Sequence, residues 1–245
     1  MDESRVAVVT GGARGIGFAI LLRLRQEGYR VAALDINERA IDLARSEIGE
    51  TDDVRFFQSS VIDRPGFAAV AAEVVDNWGR IDALVNNAGV NRPGTLLTQN
   101  DEQWDAVMET NLKGAFIGSS IIAAHLAAGG GGAIVNIGST AAAGDEGSPA
   151  YATSKAGLIG LTRSMANELG PKQIRVNLVA PGITLTDWIT RNVESEQIET
   201  MTSRIPLKRA AEPEDIAAVV AFLCSEDSRH VTGQVISASG GSWMP

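Results

Sequence analysis

A tyrosine and a lysine stand four residues apart in "SPAYATSKAG", residues 148–157. On a helix, Tyr151 and Lys155 share a face, with Cβ atoms about 5–6 Å apart. A phenol beside an ammonium is a tunable proton donor and acceptor. Free tyrosine titrates near about 10, and bringing it near 7 takes about 4 kcal/mol in favour of the phenolate. A cation at hydrogen-bonding range in a partly desolvated cleft supplies energy of that order, and a helix N-terminus adds to it. Ser148 suits the N-cap and Pro149 the first helical position, which puts Tyr151 in the first turn. Alone, each residue has an ordinary use: a surface tyrosine, a solvated helix lysine. The surrounding chain has to decide.

A glycine-rich stretch supplies a second piece of chemistry. "VVTGGARGIGFAI" runs from a strand into a helix. Gly11 permits the tight turn, Gly15 lets backbone approach a pyrophosphate, and Gly17 lets the helix pack close to the strand. The helix N-terminus then offers free N–H groups to phosphate. The spacing is T-G-x-x-x-G-x-G rather than G-x-G-x-x-G. Asp35 ends the next strand, "VAALDIN", where a carboxylate accepts hydrogen bonds from an adenosine ribose and repels a 2′-phosphate. Arg14 in the glycine loop pulls the other way, since a guanidinium pairs with phosphate. Asp35 carries more weight because of its place at the strand end. The expected cofactor is NAD, ahead of NADP.

These residues need elements to position them. Short apolar, β-branched runs fall at 5–10, 30–35, 54–58, 81–87, 132–138, 174–182 and 233–239. Helix-period segments lie between them, near 15–27, 38–48, 64–78, 101–128, 149–169 and 213–225. Apolar runs without strict alternation suggest strands buried on both faces, hence a parallel sheet built of βαβ units. Seven runs rather than eight, with the glycines in the first strand–helix turn, favour an open sheet over a barrel. The expected fold is α/β: a doubly wound, seven-stranded parallel sheet with helices on both faces, Rossmann-like. No linker or repeat divides it, so residues 1–245 are expected to form one domain.

Bulk properties narrow the function. The formal net charge is −9, which argues against nucleic acid or an anionic membrane as the main partner. No window reaches about 18 uncharged apolar residues, so no membrane span is expected. The start, "MDESRVAVVTGG", lacks a basic segment followed by an apolar one, and a cytoplasmic location is expected. The one cysteine, Cys224, reads as a buried, inert thiol in an apolar helix. His125, His230 and Cys224 make no metal cluster, so no metal is expected. No G-x-S-x-G elbow supports hydrolase chemistry.

Together the motifs resemble the short-chain dehydrogenase/reductase family. The matching pieces are "TGGARGIG" (10–17), "NNAG" (86–89), Asn111 in "METNLKGAF", Ser139 in "IVNIGS", "YATSK" (151–155) and "RVNLVAPG" (175–182). Residues 205–236 also look like the family's C-terminal part. The resemblance implies that Tyr151 is the acid/base and that Lys155 binds nicotinamide ribose and lowers the tyrosine pKa. It implies that Ser139 hydrogen-bonds the substrate oxygen and that Asn111 holds a proton-relay water. Cofactor contacts would come from Gly11, Arg14, Gly15, Ile16, Gly17, Asp35, Ser60, Val61, Asn87, Ala88, Gly89, Tyr151, Lys155, Pro181, Gly182, Thr184 and Thr186. Ser60 stands where the family often has an aspartate, and "SGG" (239–241) where "DGG" is frequent. Ser139 and Tyr151 lie slightly closer in sequence than in many members.

Substrate contacts are expected from loops beyond the strand ends, with Arg92, Asp145, Glu146, Ile183 and Trp188 as candidates. Residues 183–203 are expected to form a mobile lid. The resemblance also implies a homotetramer. The function expected first is NAD-dependent interconversion of a secondary alcohol, such as a sugar or cyclic alcohol, and its ketone. A 3-oxoacyl-thioester reductase is the alternative. A non-catalytic NAD-binding regulator is the third reading, against which the intact Asn111, Ser139, Tyr151 and Lys155 set argues.

Overall fold

The computed structural model describes residues 4–49 and 51–244; the opening Met1–Glu3 of the acidic N-terminal stretch lies outside them. Seven strands form one sheet: β1 (Val6–Thr10), β2 (Arg30–Asp35), β3 (Val54–Gln58), β4 (Ala83–Asn86), β5 (Gly132–Ile137), β6 (Ile174–Pro181) and β7 (Val235–Ala238). Their order is β3-β2-β1-β4-β5-β6-β7, and every pairing is parallel. The helices are α1 (Gly15–Gln26), α2 (Glu38–Ile48), α3 (Arg64–Trp78), α4 (Asp101–Met108), α5 (Gly114–Ala128), α6 (Pro149–Leu169), α7 (Asp187–Asn192), α8 (Ser195–Ser203) and α9 (Pro213–Cys224). This is the doubly wound α/β sheet expected from the sequence.

The sequence of β1 explains the layering. Ala7 and Val9 pack on one face with Ile20 and Leu24 of α1 and Ile216 and Val220 of α9. Val6 and Val8 pack on the other with Phe67 of α3, Ile122 of α5 and Met165 of α6. Successive side chains point to opposite faces, and both faces are covered, so the strand is apolar throughout. Each fully buried valine contributes about 1.5–3 kcal/mol.

A polar chain runs through this apolar layer. Asn86 Nδ2 donates to Ser119 Oγ at 2.9 Å and to Asn136 Oδ1 at 2.8 Å, and Asn136 Nδ2 donates to Thr162 Oγ1 at 2.8 Å. Buried amides are costly unless bonded, so this chain fixes α5 and α6 against β4 and β5 in one arrangement.

The helical stretch expected near 101–128 is broken. A π-helical turn, Glu109–Lys113, separates α4 from α5. Such a turn inserts an extra residue into the helix, and here it brings Asn111 inward. The expected lid segment contains two short helices, α7 and α8, anchored at its start by a bridge between Thr184 and Ala211. The strand order reverses between β1 and β4, where a doubly wound sheet opens its ligand crevice beyond the carboxyl ends of the strands.

Candidate active site

Helix α6 sets the geometry of the Tyr–Lys pair. Pro149 opens it, as expected. Ser148 occupies the cap position, but its hydroxyl makes no capping hydrogen bond. The Ala150 N–H is taken instead by Gln99 Oε1 at 3.1 Å. One turn further in, Lys155 is 4% exposed. Its Nζ lies 5.5 Å from the Tyr151 ring centroid and donates to the Ile137 carbonyl at 2.8 Å. Burial pulls the Lys155 ammonium down to about 8.

Ser139 follows β5. Its Oγ accepts the Ala141 N–H at 3.1 Å, and a side-chain hydrogen bond joins it to Tyr151. Burial raises the Tyr151 pKa, the Ser139 hydrogen bond draws it down, and the charge of Asp145 pushes it up again. The net direction is upward, opposite to the lowering expected from Lys155. Removing water from a phenolate outweighs what the protein's own groups return.

Asn111 is buried on the π-turn. Its Oδ1 accepts the Val90 N–H at 2.8 Å, and its Nδ2 donates to Val90 O and Ser154 Oγ, both at 3.0 Å. Ser154 Oγ donates to Tyr151 O at 2.8 Å. A Cβ on Gly89 would lie 3.4 Å from Asn111 Oδ1 and 3.6 Å from Lys155 Nζ, so the three share one corner. Ser154 was not foreseen; its only sequence signal was a polar residue inside "YATSK".

The glycine loop fits a dinucleotide phosphate. Gly11 and Gly15 have φ of +63° and +54°, conformations that favour glycine. A Cβ on Gly17 would overlap the Gly11 carbonyl oxygen. Arg14, at the cap position of α1, makes no side-chain capping bond, so the first-turn N–H groups, beginning at Gly15 and Ile16, have no side-chain cap and suit a phosphate. Thr10 and Asn87 hold the loop from below. Asn87 Nδ2 donates to Thr10 O and Gly11 O at 3.0 Å, while Thr10 Oγ1 accepts the N–H groups of Asn87 and Ala88, each at 3.0 Å.

The other expected cofactor residues lie at the end of β6 and in the segments after β3 and β6. Val61 is buried, and Ser60 Oγ accepts the Ile62 N–H at 3.4 Å. Pro181 ends β6, and Thr184 Oγ1 donates to Gly182 O at 3.1 Å. Thr186 caps α7 through Ile189 N at 3.4 Å; its methyl lies 3.5 Å from where a Gly15 Cβ would be. Of the substrate candidates, Asp145 acts electrically on Tyr151. Ile183 is tied by its carbonyl to Ala211 N at 2.9 Å. Glu146 and Arg92 are exposed, and Trp188 is 54% exposed.

Comparison with known proteins decides the kinship. A family model described as Enoyl-(Acyl carrier protein) reductase matches residues 11–242. The chain belongs to the short-chain dehydrogenase/reductase family. Three similar relatives are each named 3-oxoacyl-[acyl-carrier-protein] reductase FabG. That of Thermotoga maritima is 42% identical, covering 98% of both chains. That of Staphylococcus aureus (strain Mu50) is 39% identical, covering 100% of both. That of Vibrio cholerae is 35% identical, covering 99% of this chain and 98% of its own. The protein is thus an oxidoreductase of CH–OH and keto groups, as the short-chain family implies.

The preference for NAD over NADP is corrected. The relatives are named 3-oxoacyl-[acyl-carrier-protein] reductases, a kinship that supports a pyridine nucleotide and does not support the NAD preference. The structure gives a physical reason for misreading Asp35. Its Oδ2 accepts the Ala13 N–H at 3.3 Å and its Oδ1 accepts the Asn37 N–H at 3.0 Å. The carboxylate bonds the glycine loop and the start of α2 to the end of β2, a structural use that strand-end position does not distinguish from ribose binding. Among the described residues, no helix is long and apolar enough to cross a membrane.

Proposed function

We propose that this chain reduces the 3-keto group of a 3-oxoacyl thioester, on acyl carrier protein or coenzyme A, to the 3-hydroxy group. The observation that carries the reading is the name shared by the full-length relatives, set beside Ser139 hydrogen-bonded to Tyr151, with Lys155 Nζ 5.5 Å from its ring centroid and Asn111 joined to α6 through Ser154. This replaces the sugar or cyclic alcohol expected first. The dinucleotide, when bound, supplies the hydride. Gly11, Gly15 and Gly17 with the α1 N-terminus are its proposed phosphate cradle, and NADPH is the form to offer first. Arg14, exposed and without a side-chain partner among the described residues, is the cation proposed for a 2′-phosphate.

Tyr151 donates its phenolic proton to the carbonyl oxygen, which becomes the hydroxyl. A raised pKa keeps that proton in place at neutral pH and so suits the reductive direction. Ser139 holds the carbonyl oxygen with a hydrogen bond. Lys155 keeps a positive charge beside the phenolate that forms, and Asn111 anchors the proton route behind it. Residues 183–203 form a lid on a single domain of residues 1–245. The protein assembles as a homotetramer in the cytoplasm.

Two measurements test this. 3-Oxoacyl thioesters, sugars, cyclic ketones and aliphatic alcohols are assayed with both dinucleotides; faster turnover of a sugar or simple alcohol than of any thioester rejects the substrate class. Tyr151→Phe is expected to lower kcat by about 10²–10⁴-fold while dinucleotide affinity stays within about twofold. Retained turnover in that variant rejects the acid/base assignment, and a regulator's output would survive it.

A further inference from the structure

Helix α6 carries Tyr151 in its first turn, where a helix has N–H groups without helical partners. Ser148, at the cap position, leaves them unserved; its hydroxyl lies 3.4 Å from Asn91 Nδ2 instead. Pro149 has no N–H. The Ala150 N–H is the first that needs an acceptor, and Gln99 Oε1, from 51 positions earlier, provides it at 3.1 Å. The other end of the same amide, Gln99 Nε2, donates to Arg92 O at 2.7 Å. Gly94 N donates to Gly147 O at 2.8 Å across the same junction. The loop stitched in this way is itself fixed, because Val90 exchanges two hydrogen bonds with the Asn111 side chain.

We propose that Gln99 is a positioning residue for Tyr151. Its amide accepts from the first turn of α6 and donates to the 90–99 loop, so that Tyr151 and Asn111 keep a fixed relation. The proposal rests on the reading of Tyr151 as the proton donor. Loss of the Oε1 acceptor frays the first turn and lets the phenol wander. Lys155, one turn deeper and held by Ile137 O, stays in place. The damage therefore falls on proton delivery and spares dinucleotide binding.

Gln99→Leu, Gln99→Glu and Gln99→Asn test this, with acetoacetyl-CoA and NADPH as the assay pair. Glutamate keeps an acceptor for Ala150 N–H and loses the donor to Arg92; asparagine is too short to span both. Misplacement by 1 Å can cost about 10²-fold, and a turn frayed part of the time should cost about tenfold in kcat for Gln99→Leu, with dinucleotide Kd within about twofold. Gln99→Glu should recover to within about threefold of the parent. Amide hydrogen exchange across 148–155 should quicken in Gln99→Leu and not in Gln99→Glu, a readout independent of turnover. Gln99→Asn should match Gln99→Leu, and it replaces that variant if the leucine protein does not fold. Unchanged kcat and unchanged exchange in Gln99→Leu overturn the proposal, as does equal loss in Gln99→Leu and Gln99→Glu. Tyr151→Phe, run alongside, separates the two ideas. If it keeps turnover, the acid/base reading falls and takes Gln99 with it. If it is inactive while Gln99→Leu is fully active, only the Gln99 proposal falls.

Discussion

Lys155 shows what the site costs the fold. An ammonium held at 4% exposure, bonded to one carbonyl, is less favourable than the same ammonium in water. Its pKa falls from an ordinary 10.5 to about 8 in the folded chain. Below pH 8 both folded and unfolded lysine are charged, and the full burial penalty opposes folding. Between 8 and 10.5 the folded lysine sheds its proton while the unfolded one keeps it, so the penalty fades as pH rises. Replacing Lys155 with methionine removes the titration. The stability of Lys155→Met relative to the parent should therefore be greatest near pH 7 and decline toward pH 10, over a span of up to about 3 kcal/mol. Denaturant melts of both proteins at several pH values measure it; a difference that does not change with pH refutes the buried-charge account. Activity should be lost throughout.

At the level of elements, the strands were legible because burial on both faces leaves a largely apolar run, as in Val6–Val9 of β1. The glycine loop was legible because Gly11, Gly15 and Gly17 each answer a local backbone need. The cap of α6 was not. Ser148 has the right residue type in the right place, yet its acceptor role passes to Gln99, a contact made only by the folded chain. The π-turn around Asn111 was hidden for a similar reason: its stabilising bonds run to Val90, far along the sequence. Asp35 misled because one residue type at one strand end serves ribose binding and loop bonding equally well. The segment after β6 is the least settled by the core. No residue of α7 or α8 is buried, and Trp188 stands 54% exposed. A large aromatic left in water on the segment just after β6 is suited to closing over a substrate. Trp188→Ala should raise KM for the carbonyl substrate by about tenfold, at a cost near 1–3 kcal/mol, and leave dinucleotide Kd nearly unchanged. Equal loss of both would remove Trp188 from the substrate pocket.

At the scale of the whole molecule, the two faces of the sheet are not finished alike. α1 and α9 close one face, with Phe222 of α9 41% exposed. On the other, α5 and α6 pack on the sheet and still present a groove to solvent, lined by Met108, Leu112, Phe116, Gly157, Gly160 and Leu161. Phe116 is 51% exposed, with the Arg64 guanidinium 5.7 Å from its ring centroid. Gly157 is packed against Leu112 of the same chain, whereas Gly160 faces open space, which lets another helix approach α6 closely there. The groove adjoins the π-turn of Asn111 and the helix of Tyr151, so a second copy packed there would brace both halves of the proposed proton route. Phe116→Glu places a charge where an aromatic anchor would be buried, a change worth about 2 kcal/mol or more at the centre of an interface. Light scattering should show the mass fall from four chains to two or one, with kcat falling as the brace is lost. A parent protein that is monomeric at working concentration defeats the assembly proposal, and a Phe116→Glu protein that remains tetrameric removes this groove from the interface.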